Sequence, residues 1–156
     1  MVQYPDLQLH IAGEWKSAGG EPVINPADET VLGTVPHATR ADLDRALSAA
    51  QEGLRVWRRT SPAKRAQIII KAASLMRERM EEMAVSMTLE QGKTLRESRL
   101  EVLRGCEILE WDANEGRRVY GRVIPGDHGL RHTVYRQPIG VVSAYSPWNF
   151  PVSSPA

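Results

Sequence analysis

Residues 139–146, Ile-Gly-Val-Val-Ser-Ala-Tyr-Ser, form a nearly continuous run of apolar and small residues. Such a run marks a strand buried on both faces of a parallel sheet, because half-buried antiparallel strands alternate instead. A parallel strand reaches its neighbour through a crossover of a dozen or more residues. Only ten residues follow Ser146 in this 156-residue chain, so the strand has no sheet to join here. The chain therefore reads as the front end of a larger α/β protein, with no internal repeat or low-complexity tract suggesting another organisation.

What precedes the strand fits that reading. Residues 7–16 alternate apolar and polar and break at Gly13, as in a strand entering a hairpin. Asn25-Pro26-Ala27-Asp28 is a turn, followed by a short strand from Thr30 to Val35. Thr39 and Asp42 open a first helix over about 40–57, whose apolar face is Leu43, Ala46, Leu47, Ala50, Leu54 and Trp57. Ser61-Pro62 supplies an N-cap and an N1 proline for a long second helix. Its seam runs Ala66, Ile69, Ala73, Met76, Met80, Met83, Met87, and the methionines are read as packing filler because no His or second Cys shares the face. Gly92 interrupts, and Thr94 with Glu97 opens a third helix over about 95–115, ending at Gly116. Its buried face is Leu95, Val102, Cys106, Leu109 and Ala113. Residues 117–124 and 132–137, joined by Pro125 to Gly129, form a long polar hairpin that needs a partner outside itself.

Charge and cysteine usage exclude several function classes. Lys+Arg 20 against Asp+Glu 19 is too balanced for a nucleic-acid footprint. No apolar run approaches the ~18 residues of a membrane span, and Met1 to Leu7 lacks the basic and apolar regions of a signal peptide. These features and a lone cysteine point to a cytoplasmic protein without membrane or nucleic-acid partners. Cys106 falls on an apolar helix face, with Glu101, Glu107 and Glu110 disfavouring a thiolate and Arg104 opposing them, so it is read as structural. The four histidines lack ligand spacing, and no metal is expected. The glutamates of the second and third helices read as solvated faces. Gly92-Lys93-Thr94 resembles the tail of a phosphate loop, but Met87 stands where that loop needs glycine.

Ser146-Pro147-Trp148-Asn149-Phe150-Pro151 differs from these. It lies at the carboxyl end of the expected strand, where open α/β sheets bind ligands. An Asn there can donate to a developing oxyanion, and a Trp beside it can pack against a cofactor ring.

Together with this run, Ile11-Ala12-Gly13-Glu14-Trp15, Asn25-Pro26-Ala27, Trp57-Arg58, Leu89-Glu90-Gln91-Gly92-Lys93, Glu115-Gly116-Arg117-Arg118 and Pro138-Ile139-Gly140-Val141-Val142 resemble the N-terminal third of the NAD(P)-dependent aldehyde dehydrogenase superfamily. The segments 88–93 and 110–125 are most similar to its succinate-semialdehyde branch. The resemblance implies an N-terminal part of a cofactor-binding domain (1–116), an oligomerisation β-ribbon (117–138) and the start of a Rossmann-like sheet (139–156), with the catalytic domain absent. It implies Asn149 as the catalytic oxyanion donor, Ser146, Pro147, Trp148 and Asn149 as NAD or NADP contacts, and Phe150 as a substrate-lining residue. Neither the nucleophilic cysteine nor the general-base glutamate of the family has a match in these residues. The expectation is a segment inactive alone, belonging to an aldehyde-oxidising homo-oligomer assembled through the 119–137 ribbon. Two alternatives compete: a non-catalytic protein that pairs with intact dehydrogenase subunits by strand addition, and a free-standing nucleotide-binding module. The second lacks the glycine-rich turn and ribose-binding acid of a dinucleotide site.

Overall fold

The computed structural model describes residues 4–156, so the signal-peptide reading at Met1–Gln3 lies outside the described residues. The elements in order are β1 (Leu9–Ile11), β2 (Glu14–Lys16), β3 (Gly20–Ile24), β4 (Val31–Pro36), α1 (Arg40–Trp57), α2 (Pro62–Glu78), α3 (Met80–Gln91), α4 (Leu95–Glu115), β5 (Arg122–Pro125) and β6 (Arg131–Val134). The strands pair as three antiparallel hairpins, β1–β2, β3–β4 and β5–β6. No described helix is long and apolar enough to cross a membrane.

The helix boundaries follow local chemistry. Thr39 and Asp42 form a reciprocal capping box at the start of α1, and Thr94 and Glu97 another at α4. Ser61 accepts from the Lys64 amide ahead of Pro62. Lys16 reaches the first box from β2, with Nζ 2.6 Å from Asp42 Oδ1, joining the opening hairpin to α1. The Lys16 ammonium, then the Thr39 hydroxyl and amide, hold that carboxyl well below the usual range.

One expectation about the helices is corrected. The long second helix is two: Arg79, at φ −102° and ψ 16°, lies in the bridge region and separates α2 from α3. The described residues therefore form four α-helices where three were expected. The apolar stripe of α1 is present but uncovered, since Leu43 and Leu47 are more than half exposed and only Asp42 of that helix is buried.

The core lies where α4 packs on α2 and α3. Ala73, Met87, Val102 and Cys106 form its centre, with Met76, Met80, Met83, Leu109 and Val152 against it. The methionine stripe is packing, as its spacing predicts. Ala66, Ala84, Ser98, Gly105 and Ala113 are also buried, and such small side chains let helix axes approach closely. Arg77–Glu110 and Arg99–Glu81 pairs at 2.7 and 2.6 Å bridge α4 to α2 and α3 at exposed positions, where solvent screening leaves such pairs little weight.

The run 139–146 stands without a sheet, as its lack of parallel neighbours predicts. It forms no strand pairing, and Ile139 and Tyr145 are 92% and 94% exposed. Among the described residues every strand pair is antiparallel and two-stranded, so none of them offers this run a parallel edge. The 119–137 hairpin pairs over shorter strands than its β-prone residues suggest, with Arg122 opposite Val134 and Pro125 opposite Arg131.

Candidate functional site

The site is built where residues 146–154 return to the amino end of α4. Gly92 closes α3 in the left-handed region at φ 76°, where a side chain would be strained and would also crowd the Pro26 ring. This reversal sets Lys93 just ahead of the α4 cap. Lys93 Nζ donates to the Asn149 carbonyl at 2.8 Å, lies 4.6 Å from the centre of the Phe150 ring, and pairs with Glu101 Oε2. Glu101 Oε1 in turn accepts from the Val152 and Ser153 amides at 3.0 and 3.3 Å. The side chains are 12% exposed for Lys93 and 3% for Glu101. Burial pushes the Glu101 carboxyl up, but the Lys93 ammonium and the two amides outweigh it and hold it below the usual carboxylate range.

Gly105 completes the seat. A Cβ there would come within 3.0 Å of the Val152 side chain, so its absence lets the turn lie directly on the helix. The turn continues with a Ser154 amide to Phe150 carbonyl bond at 3.1 Å.

The docked turn has two sides. Phe150 lines a cleft of about 530 Å³ along α4, with Lys93, Leu100, Leu103, Arg104 and Ser153 on its walls. Trp148, 77% exposed, lines another of about 360 Å³ with Pro26, Met87, Glu90, Gln91 and Pro151. Asn149 stands between the two aromatics. Its side chain is exposed and, among the described residues, makes no hydrogen bond, which leaves its amide free to donate. Ser146 and Pro147 are exposed on the approach to Trp148.

Other residues take the roles their sequence surroundings suggest, or depart from them. Cys106 is fully buried in the helical core. Desolvation pushes its thiol up; Arg77 opposes this and Glu110 reinforces it. Arg77, from α2, is the opposing cation in place of Arg104. Glu101 is not on a solvated face, contrary to its helical charge spacing. It lies on the same stripe as Ser98, Val102 and Gly105, and that position is the one sequence signal that could have found it. Lys93 carried no such signal, because its partners lie 8 and 56 residues away along the chain.

A small-residue helical layer bearing an aromatic–amide–aromatic turn between two clefts makes a segment of mixed α/β architecture. Residues 15–156 match the aldehyde dehydrogenase family, and the chain belongs to it. It is 45% identical over 150 residues to the alpha-ketoglutaric semialdehyde dehydrogenase of Bacillus subtilis (strain 168), covering 93% of this chain and 31% of that protein. Over 150 residues it is also 42% identical to the NADP+ succinate-semialdehyde dehydrogenase GabD of Escherichia coli (strain K12), covering 94% of this chain and 31% of that protein. The crystal structure of aldehyde dehydrogenase from Brucella melitensis biovar abortus 2308 superposes with a TM-score of 0.91 at 41% identity, over 95% of this chain and 32% of that one. The chain thus spans about a third of the length of the relatives it matches.

Proposed function

We propose that this chain is the N-terminal segment of an NAD(P)-dependent aldehyde dehydrogenase that oxidises a semialdehyde, succinate semialdehyde foremost, to the carboxylate in the cytoplasm. The observation that carries the reading is the placing of Trp148 and Phe150 on two separate clefts with the free Asn149 amide between them. A reaction between a bound cofactor and an aldehyde needs two approaches that converge on one oxyanion donor. The names of relatives at 40–45% identity support the semialdehyde class.

In this reading Ser146, Pro147 and Trp148 hold and orient the cofactor ring, for which the exposed indole face is suited. Bound NAD or NADP supplies the hydride acceptor. Asn149 donates its side-chain N–H to the oxygen that becomes negative as the aldehyde carbon turns tetrahedral. Phe150 lines the aldehyde path and keeps it dry. Cys106, buried and with its thiol pushed up, does not supply the attacking thiolate, so residues 1–156 do not complete the reaction alone. Segments 1–116 and 139–156 belong to the cofactor-binding domain, and the 117–138 ribbon joins subunits.

The test is Asn149→Ala in the dehydrogenase polypeptide that carries this segment, followed by NAD or NADP reduction with succinate semialdehyde. Loss of one oxyanion donor is expected to lower kcat by about 10²–10³. An unchanged kcat would sink the reading.

A further inference from the structure

The Asn149 amide makes no bond that would aim it, so its direction depends on the backbone that carries it. That backbone is held chiefly by one ion pair, with Gln91 Nε2 adding a longer contact to the Asn149 carbonyl at 3.5 Å. Lys93 takes the Asn149 carbonyl at 2.8 Å, and Glu101 takes the Val152 and Ser153 amides at 3.0 and 3.3 Å. The ammonium and carboxylate then bind each other, closing a ring of contacts between the start of α4 and the turn.

A buried ion pair is a weak way to gain stability. Desolvating the two charges costs about as much as their attraction returns, and well-packed apolar side chains often serve as well or better. What the pair does supply is direction, because each of its hydrogen bonds fixes one backbone group of the turn. The apolar contact of Val152 over Gly105 sets how close the turn lies, but it cannot set the rotation about the turn's own axis.

We propose that Lys93 and Glu101 are positioning residues that aim the Asn149 amide at the reacting oxygen, an inference that rests on the assignment of Asn149 as oxyanion donor. Lys93 also lies over the Phe150 ring, so the same pair fixes the wall of the larger cleft. The two residues act through residues 149–153.

The experiment measures kcat and both KM values in the dehydrogenase polypeptide carrying this segment, for Lys93→Met, Lys93→Arg, Asn149→Ala and the Lys93→Met/Asn149→Ala pair. Lys93→Met is expected to lower kcat by roughly 10- to 10²-fold, the scale of a ~1 Å misplacement, with both KM values within about threefold. Lys93→Arg, which keeps the charge and the donors, recovers part of the loss. The double variant is expected to be no slower than Asn149→Ala, because both changes remove the same donor. A Lys93→Met enzyme within about threefold of the parent, beside an Asn149→Ala enzyme slowed about 10²–10³, overturns the clamp and leaves the oxyanion assignment standing. Multiplying losses in the double variant overturn it too, since Lys93 then acts by another route. Loss of parental kcat in neither single variant overturns the oxyanion assignment and the clamp together. Should Lys93→Met fail to fold, hydrogen exchange at the Val152 and Ser153 amides of the dehydrogenase polypeptide carrying this segment decides. Glu101→Ala is expected to speed it about tenfold or more, as loss of a charge-assisted bond requires, and unchanged exchange overturns the clamp.

Discussion

The helical layer α2–α4 and the stretch 117–146 both carry large apolar side chains, yet they meet opposite fates. In the layer, Met87, Val102 and Cys106 are buried and their neighbours interlock. In 117–146 no residue is buried, and Val123, Ile124, Val134, Val142 and Tyr145 all stand exposed. No side-chain hydrogen bond or ion pair involves residues 119–137 among those described. The difference is not one of composition. Helices can cover one another from within a short stretch of chain, whereas a two-stranded ribbon and a lone extended run bury their faces only against strands supplied by something else. Apolar character therefore specifies a core in one region and an appetite for partners in the other.

Cutting into the core is the severest test of that contrast. Met87→Ala leaves a cavity at the α3–α4 contact and is expected to cost about 2–5 kcal/mol, read from the urea midpoint of the 156-residue chain. A cost below about 0.5 kcal/mol, the range of ordinary surface changes, would mean that the layer is no better packed than the ribbon.

A smaller effect is expected from acid, at the seam between the two regions. The Glu101 carboxyl titrates below its ordinary value in the folded chain, so the unfolded chain binds more protons as pH falls. Its contribution is complete above about pH 5.5, roughly a unit beyond the ordinary glutamate value, and is lost progressively as pH drops through that value to the folded one. The Val152 and Ser153 amides should then lose protection before the α2–α4 core does, while the backbone pairing of β5–β6 responds less. Hydrogen exchange across pH 2–6, a window of about two units on either side of the ordinary carboxyl value, checks this. Equal loosening of turn and ribbon would erase the distinction.

How far the fold was legible follows the range of each interaction. Thr39, Ser61-Pro62 and Thr94 announce their helices because a cap is chemistry between residues three apart, and all three caps are present. The Ser146 to Pro151 motif was legible as a candidate site, and its docking on α4 was not. The seat joins Lys93 and Glu101 to backbone groups about 50 residues on, and a glutamate amid alternating charges looks solvated until the turn that covers it is known. The break at Arg79 was hidden for a different reason: the methionine seam steps by three and four straight across it, so hydrophobic periodicity sees one helix where the backbone makes two. The run 139–146 was legible as a strand in need of a sheet, and it stands exposed because burial is a property of that environment and not of the pattern itself.

The smallest effect on folding should come from the ribbon, where it separates stability from association. Ile124→Lys places a charge on a β5 residue that is 46% exposed and touches no core. The urea midpoint of the chain should move by no more than about 0.5 kcal/mol, as for other exposed positions. In the dehydrogenase polypeptide the same change should shift sedimentation toward smaller species, because a lysine on a pairing strand is the device that natural edges use against further strands. Unchanged sedimentation with unchanged stability would take the joining of subunits away from this ribbon. A large loss of stability would instead mean that Ile124 is packed within its own chain, and that the two regions differ less than their burial indicates.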